Sequence, residues 1–533
     1  MGKSGSAANL AGLSVLTRAS ICPTVSALMR KQNQSRGALL ALCSGLGLAS
    51  LGAAPPASPS EPNAPQTKSQ ASSVQPSAAT TAESAPAAQP ASVVSGPPNL
   101  ACEQYRLKNG LTVILSHDDT LPIVATEVVY LVGSANEKAG KTGFAHLFEH
   151  LMFQGSLHHD TEYFAPFEPI GADVNGTTNT DRTNYYEHVP SEYTELTLWM
   201  ESDRMRSLLE VLTKEKLDNQ REVVRNERRQ RYEMTPYGMD HWYLGEALYP
   251  TTHPYYHNTI GSHQDLTNAT LGDVSAFFKE YYVPANAALI VAGDFDIEKL
   301  KPWIEKYFAD IPAGKRALSP SATPAHSGKK HWVIEDAVQL PRVYLAFETP
   351  ALLAPNDAEL DLLAGILSSG KTSRLYQALV YGRKIAKDVA AYQMSRKIAG
   401  MFVIEATLAP GITLDEFGPA LEEELAKALA TLPADAELER VRSGFKKDFF
   451  HRIESVGDRA SLLGSYFLQT GEANRIAQDY QRYQRASPES VHQAGVRYLM
   501  SPDRVRLDFV PGTRGKPPTD VSTRPLSAQG TAR

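Results

Sequence analysis

Hydrophobic positions recur with a structural period only beyond residue 98. Tyr105–Leu107 and Leu111–Ser116 flank Asn109-Gly110, which predicts two strands joined by a tight turn. Val124–Val132 reads as a third strand. Helix-period patterns follow at Thr142–Met152, Ser191–Leu208, Lys214–Tyr232 and Leu271–Tyr282. Ala288–Gly293 is a short apolar run of the kind a buried strand needs. Leu300–Pro312 reads as a short amphipathic helix ended by its proline, and residues 313–330 are a small, polar, proline-containing linker.

The order then recurs. Strands are expected at His331–Glu335 and Val343–Glu348, and helices at Glu359–Ser368 and Ser373–Val380. Two further strands, Val389–Arg396 and Met401–Leu408, precede helices at Leu414–Leu432, Ala436–Ile453, Asp458–Gly471 and Ser487–Leu499. Arg504–Val510 closes the series as a strand. Strands followed by helices, twice over, predict an α+β unit used twice, as domains at 99–312 and 331–515 with a disordered tail at 516–533. Residue identity between the halves is weak, so the repeat rests on element order.

Residues 55–98 break the pattern: nearly all Pro, Ala, Ser, Thr, Gln and Glu, with no aromatic side chain. Such a stretch cannot bury enough apolar surface to offset its ordering entropy and reads as a disordered tether. Before it, Arg30, Lys31 and Arg36 precede the apolar run 37–54, the order of a secretory signal, with Met29 the better start. The signal segment, 1–54, predicts an exported, periplasmic protein. If it is not cleaved, the run and tether would hold the protein at a membrane surface.

The chain has 533 residues, 42% hydrophobic and 21% charged, with a net charge of −6. Without a basic excess, nucleic acid is not an expected partner. The cysteines, Cys22, Cys43 and Cys102, are too few for a disulfide framework and lack the spacing of a thiolate zinc site. Any metal must therefore be held by histidine and carboxylate.

The segment GFAHLFEHLMFQGS meets that requirement. His146, Glu149 and His150, at spacings of three and four, share one helix face among apolar neighbours. Two imidazoles and a carboxylate on one face suit a hydrolytic zinc ion, with Glu149 beside the metal-bound water rather than among the ligands. A third ligand is sought in LDNQREVVRNERRQRYE, which holds Glu222 and Glu227. Leu217, Gln220, Val224 and Glu227 lie on one stripe, so Glu227 belongs to the core-facing side and Glu222 points away. A buried, unpaired Glu227 is costly and calls for a cation.

With 76 residues between His150 and Glu227, the chain resembles the pitrilysin/insulinase family of inverzincin peptidases, which includes mitochondrial processing peptidase. The resemblance extends to NGLTVIL, HPYYHNTIG, VAGDFD and SGKTSRLYQAL. It implies a zinc metalloendopeptidase that hydrolyses peptides or unfolded segments. Its fold would be two homologous α/β-sandwich halves forming a clamshell, with one zinc ion per chain. By that likeness His146, His150 and Glu227 are ligands and Glu149 is the general base. ADVNGTTNTDRTNYYEHVP resembles the family's substrate strand: Asn175-Gly176 would mark a turn into an edge strand, and Asn175, Thr177 and Asn179 would meet the peptide. Gln220 stands where relatives carry an acidic partner behind the ligand Glu. Arg383 and Tyr392 lack the spacing of the Arg/Tyr pair of larger relatives. Chains of this size in the family pair with a second chain, so a homodimer or a heterodimer with a related chain lacking the motif is expected. The alternative is a non-catalytic assembly or binding subunit of the same fold.

Overall fold

The computed structural model describes residues 97–325 and 328–522. The expected signal segment and the tether up to residue 96 lie outside the described residues. The first sheet contains β1 (Glu103–Arg106), β2 (Thr112–His117), β3 (Ile123–Tyr130), β4 (Asp173–Thr178), β5 (Thr183–Pro190) and β6 (Ala287–Gly293), in the order β1-β2-β6-β3-β5-β4. The second contains β7 (Lys329–Asp336), β8 (Arg342–Thr349), β9 (Ala386–Met394), β10 (Gly400–Leu408), β11 (Arg504–Pro511) and β12 (Thr519–Asp520), in the order β12-β7-β11-β8-β10-β9. The two orders match place for place, except that the outer strand comes first in its half in one sheet (β1) and last in the other (β12). The parallel pairs, β2 with β6 and β7 with β11, fall at equivalent places, and β4 and β9 are equivalent edges. The protein is therefore an α+β fold of two homologous halves.

Helices of the first half are α1 (Phe144–Leu151), α2 (Thr194–Val211), α3 (Lys214–Arg228), α4 (Asp240–Leu248), α5 (His263–Asn268), α6 (Leu271–Tyr281) and α7 (Ile297–Phe308). Those of the second are α8 (Asp357–Ser368), α9 (Leu414–Ala428), α10 (Asp435–His451), α11 (Val456–Thr470), α12 (Ile476–Arg485) and α13 (Pro488–Leu499). None among the described residues is long and apolar enough to cross a membrane.

Strand alternation explains how the first sheet is covered on both faces. Val124, Val128 and Tyr130 join the core beneath α1, whereas Ala125 and Val129 turn to the opposite face. There α11, from the second half, lies across β3 and β6. Gly464 permits the approach, since a Cβ there would stand 3.0 Å from Val129 Cγ2. In return α4 of the first half packs on β8 and β11, burying Leu244 and Leu248 with Val505 and Phe509. Each sheet is thus covered by a helix of the other half.

The structure departs from the sequence reading in particular places. Asn175-Gly176 is not a turn but lies inside β4, and the β4–β5 turn falls at Asn179–Arg182. The helix expected at Ser373–Val380 runs mostly as a π-helix, Tyr376–Gly382. The tail expected from residue 516 still contributes β12, which pairs with β7, and Val521 is buried behind it. Helices α4, α5 and α12 had no forecast. They are short or polar, and α12 buries tyrosines rather than an aliphatic stripe.

One charged cluster lies in the first core. Arg204 of α2 is fully buried between the rings of Tyr163 and Tyr185, 4.0 and 4.4 Å from its guanidinium, and pairs with Glu201 and Glu187. Burial, and then the charge of Glu201, push the Glu187 carboxyl well above its ordinary range. Tyr185 in turn donates its hydroxyl to Phe148 O of α1 at 3.2 Å. Removing the cation leaves buried Glu201 without its ion-pair partner and Glu187 without one of its donors, so Arg204→Met is expected to cost about 3–5 kcal/mol of unfolding free energy in urea titration. A loss below about 1 kcal/mol would show that the aromatic stack, not the ion pairs, holds this region.

Candidate metal centre

The helix α1 begins at a crowded junction. Gly143 precedes it with φ +87°, and a Cβ there would stand 2.8 Å from Ile260 O. Gly261, φ +75°, brings its backbone against Gly143, so that a Cβ on Gly261 would lie 2.4 Å from Gly143 Cα. The first amides of the helix are received by a buried carboxylate: Gly143 and Ala145 donate to Glu137 at 2.9 and 2.8 Å. His257 Nε2 lies 2.9 Å from the same carboxylate. The HPYYHNTIG segment therefore supports the start of α1 from outside the helix.

The helix α3 is fastened at the same junction. Leu217, Gln220 and Val224 form its buried stripe. Glu222 points away, its side chain 57% exposed and paired with Arg225. Arg228, at the end of α3, donates to Gly261 O and to Glu233 Oε1, and stacks 4.2 Å over Trp242. The chain then continues as a π-turn, Arg229–Glu233. Such turns are rare and cluster at functional sites.

These two anchored helices bring His146, His150 and Glu227 together. Glu227 Oε2 stands 3.6 Å from His146 Nε2 and 3.3 Å from His150 Nε2. One ligand atom from each residue lies within 4.8 Å of the others, the one such group among the described residues. The imidazoles meet nearly at right angles, 82°, with ring centres 4.9 Å apart. Burial, and then the neighbouring His150, lower the pKa of His146 and favour the neutral imidazole that a cation needs. Burial opposes ionisation of Glu227, but His150, His146 and Arg231 outweigh it and hold the carboxyl at about 2. Arg231 Nη1 occupies Glu227 Oε1 at 2.8 Å, leaving Oε2 to the imidazoles. Two imidazole nitrogens and a carboxylate oxygen are the donor set of a hydrolytic zinc site, so the residues present fit that metal.

Gln220 is buried on the Glu227 face, but its amide donates to Asn219, not to a ligand residue. His146 Nδ1 is buried and has no hydrogen-bond partner among the described residues. His158 binds Asp203, His159 binds Thr161, His253 stacks on Tyr249 and His263 pairs with Glu233, so none joins the cluster. In the second half Arg383 is committed to Glu423 and Glu424, and the Tyr392 hydroxyl lies 3.5 Å from Glu405.

Glu149, one residue from His150, faces β4. A Cβ on Gly176 would stand 3.2 Å from Glu149 Cγ and 3.0 Å from the Tyr185 ring. Gly176 is there for close approach rather than for a turn. Asn175 and Thr177 flank it, partly exposed, on an edge that among the described residues pairs only with β5. Asn179 is not on that edge: its side-chain oxygen accepts the amides of Asp181 and Arg182 at 2.8 and 2.9 Å and shapes the turn. Glu137, Arg231 and the contact role of Gly176 escaped the sequence reading. Only the HPYYHNTIG resemblance hinted at the first.

Residues 112–250 match the family model described as insulinase, peptidase family M16, and residues 268–445 match that of the peptidase M16 inactive domain. The zinc protease PqqE of Helicobacter pylori is 30% identical over 390 residues, covering 71% of this chain and 86% of that protein. A probable mitochondrial-processing peptidase subunit beta of Arabidopsis thaliana is 23% identical, covering 74% of this chain and 76% of that one. The solved structure of a protease from Helicobacter pylori superposes with a TM-score of 0.71 at 27% identity, covering 78% of this chain and 100% of that one.

The His257–Glu137 pair makes the support of α1 pH-dependent. Burial lowers the pKa of His257, but its hydrogen bond and charge contact with Glu137 outweigh that and raise it above its ordinary 6.5. A raised folded pKa means full stabilisation below the unfolded value and loss as pH climbs through the folded one. The stability gap between the protein and His257→Gln is therefore expected to be wider at acidic than at alkaline pH in paired urea titrations. A gap independent of pH would assign the contact to the neutral ring.

Proposed function

We infer the function from one premise: the chain belongs to the insulinase family, peptidase family M16. We propose a zinc-dependent metalloendopeptidase acting on peptides or unfolded segments. The observation that carries this reading is the convergence of His146, His150 and Glu227 with Glu149 beside an open strand edge. Zinc would be held by His146 Nε2, His150 Nε2 and Glu227. When bound, the metal supplies an acidified water and a Lewis acid for the scissile carbonyl.

The remaining work falls to the chain's own residues. Glu149 takes the proton of the attacking water and passes it to the leaving amine. Arg231 satisfies the second oxygen of Glu227 and so orients the first toward the imidazoles. The free edge of β4, Asp173–Gly176, pairs with an extended peptide main chain, with Asn175 beside Gly176, while Thr177 O is taken by Arg182. Gly176 brings that edge to the base, since any side chain there would push into Glu149.

The rival reading is a non-catalytic subunit, favoured by the inactive-domain match. That match begins at residue 268, whereas His146, His150 and Glu227 fall within 112–250, the peptidase match. A site confined to one half also supports the expected partner, a second copy or a related chain without the motif. The apolar run at 37–54 supports export, with the peptidase acting in the periplasm.

Glu149→Gln is expected to keep about one zinc per chain while hydrolysis of a quenched mixed-peptide library falls by about three orders of magnitude. Full-length wild type serves as reference. Zinc in both proteins with equal hydrolysis would remove Glu149 from the reaction, and no zinc in either would favour the non-catalytic subunit. Gly176→Val is expected to lower kcat/KM about tenfold or more with zinc retained, through displacement of Glu149. An unchanged kcat/KM would detach the β4 edge from catalysis.

A further inference from the structure

We propose that Asp181 is a positioning residue, through which the half without the His-x-x-Glu-His motif holds the β4 edge against Glu149. The inference rests on the reading of β4 as the peptide-receiving edge.

Asp181 lies in the β4–β5 turn, where Asn179 bridges the local amides and the Asp181 carboxylate accepts only the Thr180 hydroxyl, at 3.2 Å. That carboxylate reaches outward instead. One oxygen accepts the hydroxyl of Tyr255 at 2.7 Å, and the other accepts the main-chain N–H of Lys397 at 3.1 Å. Lys397 sits in the β9–β10 turn of the second half. The Tyr255 hydroxyl in turn accepts the N–H of Ile398 at 2.9 Å. A carboxylate and a phenol thus satisfy two consecutive amides of the other half. Tyr255 is 2% exposed and lies 4.1 Å under the Arg396 guanidinium, so its phenol is fixed where it donates to the partly buried Asp181 carboxylate, a charge-assisted bond.

A second route reaches the same hairpin. Ser461 of α11 donates to Glu127 Oε2 at 2.9 Å, and Glu127 Oε1 accepts the Asn184 amide at 2.6 Å. Asn184 Oδ1 then accepts the Thr177 hydroxyl at 2.5 Å, on the edge strand itself. Arg182 donates to Thr177 O at 2.8 Å, so the open stretch of edge is Asp173–Gly176, ending opposite Glu149.

The apolar cover of α11 and α4 already joins the halves, so these polar contacts add position rather than cohesion. A peptide that docks on a mobile edge must order it first, a cost that appears in binding rather than in the chemical step. Held from two sides, the edge is ordered before the peptide arrives.

The test uses full-length Asp181→Ala, Tyr255→Phe and the double variant. A fluorogenic peptide long enough to span β4, zinc content and hydrogen exchange over residues 173–184 are measured. Expected are a KM raised about tenfold with kcat within about threefold, unchanged zinc and faster exchange in the hairpin. The double variant should fall short of the sum of the two singles, because both remove the shared Tyr255–Asp181 bond while each also frees one amide of its own. Unchanged KM, or a fall in kcat alone, would overturn the proposal, as would hairpin exchange equal to wild type. If wild type itself binds zinc and cleaves nothing, the peptidase reading fails, and the exchange measurement still decides whether Asp181 braces the hairpin.

Discussion

Two imidazoles and a carboxylate must face one another across two helices, with 76 residues of chain between His150 and Glu227. An ionised Glu227 in a largely buried position is tolerable only beside cationic or electron-accepting partners. The surrounding structure serves that requirement. Glu137 and His257 hold the start of α1, and Arg228 ties the end of α3 to Gly261, whose backbone touches Gly143. Both helices are anchored at one glycine junction, where only backbone fits.

The duplicated fold distributes its tasks unevenly. Both sheets follow the same strand order, and both end in an edge strand, β4 or β9. Only the first carries the imidazole pair. The exchange of α4 and α11 merges the two cores, so that neither sheet is covered without the other half. A half that has no ligands still shapes the site, by covering the sheet and by meeting the turn that ends β4.

The His-x-x-Glu-His segment and the stripe of α3 were legible because helical periodicity is a local property. Leu217, Gln220 and Val224 mark the inward face whatever that face meets. The β4–β5 hairpin misled for an equally physical reason. Asn-Gly is a strong turn signal, but Gly176 answers to the Glu149 side chain packed against it, a neighbour distant in sequence. Asn179, two residues into the polar run, makes the turn through its own side chain.

The sequence by itself determined the alternation that makes each strand two-faced, the periodic stripes that orient α1 and α3, and the presence of two imidazoles and a carboxylate at the right spacings. Those follow from the backbone's own repeat. The cation that steadies Glu227, Arg231, lies one helical turn on at i+4, but only the tertiary structure showed that the pair forms beside the imidazoles. It also decided what lies behind Glu149 and what holds the turn at Asp181. Those depend on residues far apart in sequence, within the first half for Glu149 and across the two halves for Asp181, and no local pattern encodes such contacts.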